Sequence, residues 1–180
     1  MKRPYVTAGR LDAIRSSLSE RDWQIISDIN RLRLVSGQQL QRLHYGTTAS
    51  DAAVCRRQLA RLVSKRVLVR FRHHTAGMVG PSWSVYALDV AGQRLIDPDR
   101  TRWWPTPNPG NQFIDHTLAI SEVYVRLRTD EHQRGFELVT FNGEPTCWRS
   151  FHGPGGARPT LKPDAFVITE ADGYEDHVFV

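Results

Sequence analysis

Apolar and polar residues alternate along this chain with two different periods, and the change of period sets out its elements. From Ser19 to Leu43 the period is helical. Ser19 with Asp22 three residues later forms a capping-box pattern, and Trp23, Ile25, Ile26, Ile29 and Leu32 supply an apolar face ending near Arg33. Ser36 with Gln39 repeats the pattern, Leu40 and Leu43 continue it, and Gly46 is expected as a left-handed C-terminal residue. After the turn Thr47–Ser50 comes a third helix. Ala52, Cys55, Leu59, Leu62 and Val63 fall within about 60° of one line on it. Its other face holds Ser50, Ala53, Arg57, Arg61 and Ser64.

At Val67 the period drops to two. Val69 and Phe71 alternate with Leu68, Arg70 and Arg72, and on a return run Trp83, Val85 and Ala87 alternate with Ser84, Tyr86 and Leu88. Gly77, Gly80 and Pro81 provide turn chemistry between the runs, which predicts a β-hairpin whose tip spans His73–Pro81. Adjacent His73 and His74 would point to opposite faces of a strand, so they make a poor metal pair. Val90, Leu95 and Ile96 form a short helical pattern that can pack back on the three helices.

Residues 97–112 contain four prolines and a glycine, a density that suits neither a helix nor an interior strand. This stretch is expected to be a linker, with Trp103 and Trp104 docking on a neighbouring domain. Beyond it, Phe113–Thr129 is helical, Phe136–Phe141 and Leu161–Ile168 are strands, Ala171–Gly173 is a turn, and a further strand begins at His177. That last strand ends on an apolar residue without a polar tail, so the chain is expected to be part of a longer one. The reading is an α+β protein in four parts: a flexible arm over 1–18 with a helical turn around Leu11–Ser17, a winged helix-turn-helix over 19–96, a linker over 97–112, and a small α/β domain over 113–180.

Charge sharpens the division. Residues 1–96 hold 16 Lys/Arg against 6 Asp/Glu, a net of +10, whereas residues 97–180 hold 8 against 13, a net of −5. A basic half beside an acidic one points to a polyanionic partner for the first. Small residues and arginines on one helix face suit a DNA groove, where guanidinium groups meet phosphates or guanine edges. The expected contacts to double-stranded DNA are Ser50, Arg57 and Arg61, flanked by Arg56 and Lys65, with Arg70 and Arg72 of the hairpin on phosphates or in the minor groove. A three-helix protein-interaction module remains the alternative. Cys55 and Cys147 are far apart and read as small buried hydrophobes rather than a disulfide. The first ten residues lack the apolar run of a signal peptide, and no stretch approaches a membrane span, so a cytoplasmic location without membrane partners is expected.

The second half poses a chemical question. Glu122 on a helix and Asp164 at a strand could place two carboxylates around Mg²⁺, as in PD-(D/E)xK nucleases. The third acid and the lysine of that pattern would fall on the strand beginning at His177, where they are absent; Lys162 lies on the preceding strand. An enzymatic role therefore stays open, and no cofactor other than that Mg²⁺ is expected.

The passages LSERDWQIISDINRLRLVSGQQLQRLHY, RRQLARLVSKRVLVR, SVYALDVAGQRLI, DHTLAISEVYVRL and LKPDAFV occur in the order found in the replication-relaxation family, which the chain resembles over most of residues 18–180. That resemblance implies a winged-helix DNA-binding half and a nuclease-like second half. It also implies a role in plasmid replication, relaxation or transfer on mobile elements, alongside replication or transfer proteins. Self-association as a homodimer is a further possibility that the sequence leaves open.

Overall fold

The computed structural model describes residues 6–73, 83–99 and 109–180, which form two compact units, Met1–Ser121 and Glu122–Val180. The hairpin tip from His74 to Ser82 and the tryptophans 103 and 104 lie outside the described residues.

The first unit begins with α1 (Ala8–Ser16), capped by Thr7. The helical turn expected around Leu11–Ser17 is thus a helix of nine residues, packed rather than free. Val6, Leu11 and Ile14 are buried, and Arg94 donates to the Val6 carbonyl at 2.6 Å, so the segment belongs to the core. Among the described residues of this segment only these three apolar side chains are buried, too few to give a clear period. α2 (Glu20–Leu32) and α3 (Gly37–His44) start where the capping patterns predict, each with a complete capping box. Ile25, Ile26 and Ile29 of α2 and Leu40 of α3 are fully buried. Two residues between the helices, Val35 and Ser36, form the short strand β1.

α4 (Ala49–Ser64) is the third expected helix, and Cys55, Leu59 and Leu62 are its buried stripe. β2 (Leu68–His73) and β3 (Trp83–Leu88) pair antiparallel, with Arg70 opposite Tyr86 and Phe71 opposite Val85. β1 adds to the other edge of β3, giving the order β1-β3-β2. Directly opposed residues share a face. One face therefore carries Val69, Phe71, Val85 and Ala87, as the alternation predicts. Phe71, Val85 and Ala87 pack with Leu34 and Ile114.

α5 (Val90–Ile96) returns onto this framework, capped by Asp89. Asp89 also accepts from the Arg66 guanidinium at 3.1 and 3.2 Å. That pair holds Arg66 at φ 61°, a left-handed conformation that non-glycine residues seldom adopt, at the corner between α4 and β2. Gly92 is needed for a different reason. A Cβ there would stand 2.2 Å from the Val67 carbonyl oxygen.

α6 (Asn111–Arg134) is longer than its apolar pattern indicates, and the division between units falls inside it, beyond the proline-rich stretch. Its first part is joined to the first unit through Ser121 Oγ, which donates to the Leu34 carbonyl at 2.7 Å, and through Gln39 Nε2, which donates to the Leu118 carbonyl at 3.1 Å.

In the second unit, β4 (Glu137–Gly143), β7 (Ala165–Ala171) and β8 (Tyr174–Phe179) form an antiparallel sheet in the order β4-β7-β8. The rest of α6 packs on it. Tyr124 meets Phe141 edge to face at 5.1 Å, and the buried Glu131 carboxylate accepts the Leu138 amide at 3.1 Å. Asp172 and Gly173, both at positive φ, make the two-residue turn from β7 to β8. The expected strand 161–168 is two elements. β6 (Thr160–Leu161) pairs with β5 (Arg149–Ser150) in a separate small ribbon, and β7 starts only at Ala165, after Pro163 interrupts the ladder. The last strand starts at Tyr174, before the expected His177.

Gly92→Ala decides between propensity and packing. Alanine favours a helix by about 1 kcal/mol over glycine, yet here its methyl group meets backbone. We expect a net loss of about 1–3 kcal/mol in urea unfolding, and unchanged or raised stability would show that α5 can shift away from Val67.

Candidate nucleic-acid interface

The turn between α3 and α4 is built from three polar contacts around one carboxylate. Thr48 caps α4, its hydroxyl donates to Asp51 Oδ2 at 2.6 Å, and the Asp51 amide donates back at 3.1 Å. Hydrogen bonds from the Thr48 hydroxyl and amide and from the Gly46 amide hold the Asp51 carboxyl below its usual pKa. Gly46 is not left-handed, contrary to expectation. Its value is its missing side chain, because a Cβ would lie 2.3 Å from Asp51 Oδ2.

From this start α4 runs with two unlike faces. On the inner one Cys55 is buried, and desolvation pushes its thiol up to about 11 against the opposing charge of Arg56, leaving it a neutral hydrophobe. On the outer one Ser50, Val54, Arg56, Arg57, Ala60 and Ser64 are exposed. Arg56 and Arg57 make no hydrogen bond or ion pair among the described residues.

The other two cations expected on this helix are employed within the unit. The Arg61 guanidinium pairs with the fully buried Asp22 carboxylate, which also accepts from Gln58 Nε2 and from the Ser19 amide at 2.8 Å. Lys65 Nζ donates to the Ser17 hydroxyl. Asp22 thus has two roles, the capping residue legible in the sequence and an anchor between α2 and α4. Helical periodicity assigns Arg61 to the outer side but gives no sign of its partner, 39 residues away.

On the hairpin, Arg70 and Arg72 are exposed on the face away from the Phe71 cluster. Arg70 also approaches the hydroxyl of Tyr86, whose pKa burial raises. His73, at the end of β2, is buried rather than on an exposed tip, with Nε2 2.7 Å from Asp115 Oδ1.

In the second unit, Glu122 pairs with Arg126 at 3.1 Å. Asp164 sits immediately before β7 and is fixed by its backbone, since its carbonyl accepts the Glu144 amide at 3.0 Å and its amide donates to the Val180 carbonyl at 2.8 Å. One carboxylate oxygen each of Glu144 and Asp164 lie within 4.8 Å of each other. Glu144 was not legible as Asp164's neighbour, because only the register that sets Gly143 opposite Ala165 brings the two together.

Burial works to raise the Asp22 pKa, but the Ser19 amide and hydroxyl and the Arg61 guanidinium outweigh it and hold it low. Its stabilising contribution is therefore full above the unfolded carboxyl value near 4 and is lost as pH falls through the lower folded value. Asp22→Asn should cost about 2 kcal/mol at pH 7, with the gap to wild type closing in urea titrations carried down to pH 3. A gap that stays constant with pH would mean that the ionised form is not what stabilises.

Among the described residues, no helix is long and apolar enough to cross a membrane. No curated protein and no solved structure matches the chain. The family model described as replication-relaxation matches residues 26–180, from within α2 through the last strand. That span takes in most of the first unit and all of the second, and the chain belongs to the replication-relaxation family.

Proposed function

We propose that the first unit is a winged helix-turn-helix that binds double-stranded DNA, and that the protein acts in replication, relaxation or transfer of a plasmid or other mobile element. The observation that carries this reading is the outer face of α4, where Arg56 and Arg57 stand exposed and unpaired beside small side chains, on a helix whose opposite stripe is buried. In this reading α4 enters the major groove. Ser50, Arg56 and Arg57 reach bases and phosphates, and Arg70 and Arg72 on β2 act as the wing's phosphate contacts. Arg61 and Lys65 brace the helix and contribute to the field of the unit rather than making the principal contacts. Membership of the replication-relaxation family supports the biological setting. Replication or transfer proteins are the natural protein partners of such a DNA-bound chain in the cytoplasm, and a homodimer would match a palindromic site.

Arg56→Ala with Arg57→Ala tests it without touching the Asp22 anchor. Duplex affinity should fall at least about 10-fold, and the slope of log K against log salt should shrink by about 2, with the unfolding midpoint unchanged. Wild-type affinity in that variant would sink the assignment, and retained capture of a protein partner without DNA would favour an interaction module instead.

A second reading, Mg²⁺-dependent nicking or cleavage by the second unit, draws on the proximity of Glu144 and Asp164. Two carboxylates at that spacing suit a hard divalent cation. A supercoiled-plasmid relaxation assay comparing wild type with Asp164→Ala in Mg²⁺ separates the readings. Equal nicking by both proteins, or none by either, would remove it.

A further inference from the structure

The second unit is acidic except in one place. Residues 122–180 contain 6 Lys/Arg and 10 Asp/Glu, yet residues 145–163 contain three of those cations, Arg149, Arg158 and Lys162, and no carboxylate side chain. This segment joins β4 to β7 and is an ordered ribbon. Cys147, fully buried, anchors it through a Sγ contact to the Pro163 carbonyl at 3.0 Å. β5 and β6 pair Arg149 with Leu161 and Ser150 with Thr160. The ladder continues as the Phe151 amide donates to the Pro159 carbonyl at 3.1 Å and the Gly153 amide to the Ala157 carbonyl at 2.8 Å.

An ordered ribbon could turn its rings inward, but this one does not. Trp148 is 37% exposed and Phe151 55%. Cations accompany the aromatic side chains. Lys162 Nζ lies 4.8 Å from the centre of the Trp148 ring, and the Arg149 guanidinium lies 5.6 Å from that of Phe166. Opposed residues share a face and neighbours alternate, so Arg149, Leu161 and Phe151 fall on one face of the ribbon and Ser150, Thr160, Trp148 and Lys162 on the other, each face carrying one ring beside a cation. Exposed flat rings interleaved with cations are the combination that binds unpaired nucleic-acid strands, since bases stack on the rings and phosphates meet the cations; Arg149 is held in place by donating to the Thr146 and Trp148 carbonyls at 3.0 Å. A duplex keeps its bases stacked inside and would leave the rings without a partner. A membrane surface is a poorer fit, because the turn of the ribbon, Gly153–Pro154–Gly155–Gly156–Ala157–Arg158, has no large apolar side chain to insert.

We propose that the β5–β6 ribbon is a binding site for single-stranded nucleic acid, separate from the duplex-binding face proposed for α4 and independent of it. Trp148 and Phe151, one on each face, are its stacking platforms, and Arg149, Arg158 and Lys162 its phosphate contacts.

The test uses the full chain and fluorescence anisotropy with three probes: a labelled oligo-dT strand of about 20 nucleotides, an abasic strand of equal length, and a duplex. Wild type should bind oligo-dT more tightly than the abasic strand. Trp148→Ala with Phe151→Ala should weaken oligo-dT binding at least about 10-fold and leave duplex binding unchanged, whereas Arg56→Ala with Arg57→Ala should do the reverse. Should the aromatic variant lose its fold by circular dichroism, Arg158→Glu with Lys162→Glu replaces only exposed side chains and should produce the same selective loss. Equal binding of oligo-dT and abasic strands, wild-type oligo-dT affinity in the ribbon variants, or a ribbon-dependent affinity for anionic vesicles in place of oligo-dT would each overturn the proposal.

Discussion

The first unit depends on one buried carboxylate. Asp22 has no exposed surface, so its charge is tolerable only because every side of it is answered. Ser19 donates twice from the start of α2, and Gln58 and Arg61 donate from α4. These contacts fix where α2 begins and where α4 lies against it. Arg61 thereby acts inside the unit, which leaves Arg56 and Arg57 as the cations on that helix free of such duties. The ion pair decides which basic residues are available to a partner, a choice that charge counting alone does not make.

Much of this architecture was legible because its signals are local. Ser19 with Asp22, and Ser36 with Gln39, act across three residues, and both capping boxes are formed as their spacing indicates. The two-residue alternation of β2 and β3 likewise survives as the observed pairing of faces. What the sequence obscured depends on distance. The Arg61–Asp22 pair, the burial of His73 against Asp115, and the approach of Glu144 to Asp164 join elements far apart in the chain. α1 showed in the sequence only as a turn, for a related reason. Leu11 and Ile14 acquire meaning only once a surface exists to cover them. The strand expected over 161–168 shows the opposite error, one strand read across a proline that ends one ladder before another begins.

The two units also differ in how they treat apolar side chains. Among the described residues, the helices and hairpin of the first bury nearly all of theirs, with Val54 of α4 at 38% and Ile96 of α5 at 36% marginal exceptions. The second leaves Trp148, Phe151 and Leu161 on the ribbon, and Tyr174, Val178 and Phe179 on β8, substantially in solvent. Exposed aromatic and branched side chains gathered on ordered backbone are where partners are usually accepted. The mixed sign of the chain's charge falls into the same pattern. The cations of the second unit that lie outside its ribbon, Arg126, Arg128 and Arg134, are all on α6 and are paired with carboxylates of that helix.

The self-sufficient start of α4 has an evolutionary consequence. Its first turn is set by Thr48, Asp51 and the bare backbone of Gly46, and its inner stripe by Cys55, Leu59 and Leu62. Positions 53, 54, 56, 57 and 60 take no part in either. They can be exchanged over generations with little penalty to folding, because surface changes away from caps and cores seldom move stability by more than about 0.5 kcal/mol. A helix organised this way can change the chemistry of its outer face while its scaffold stays constant.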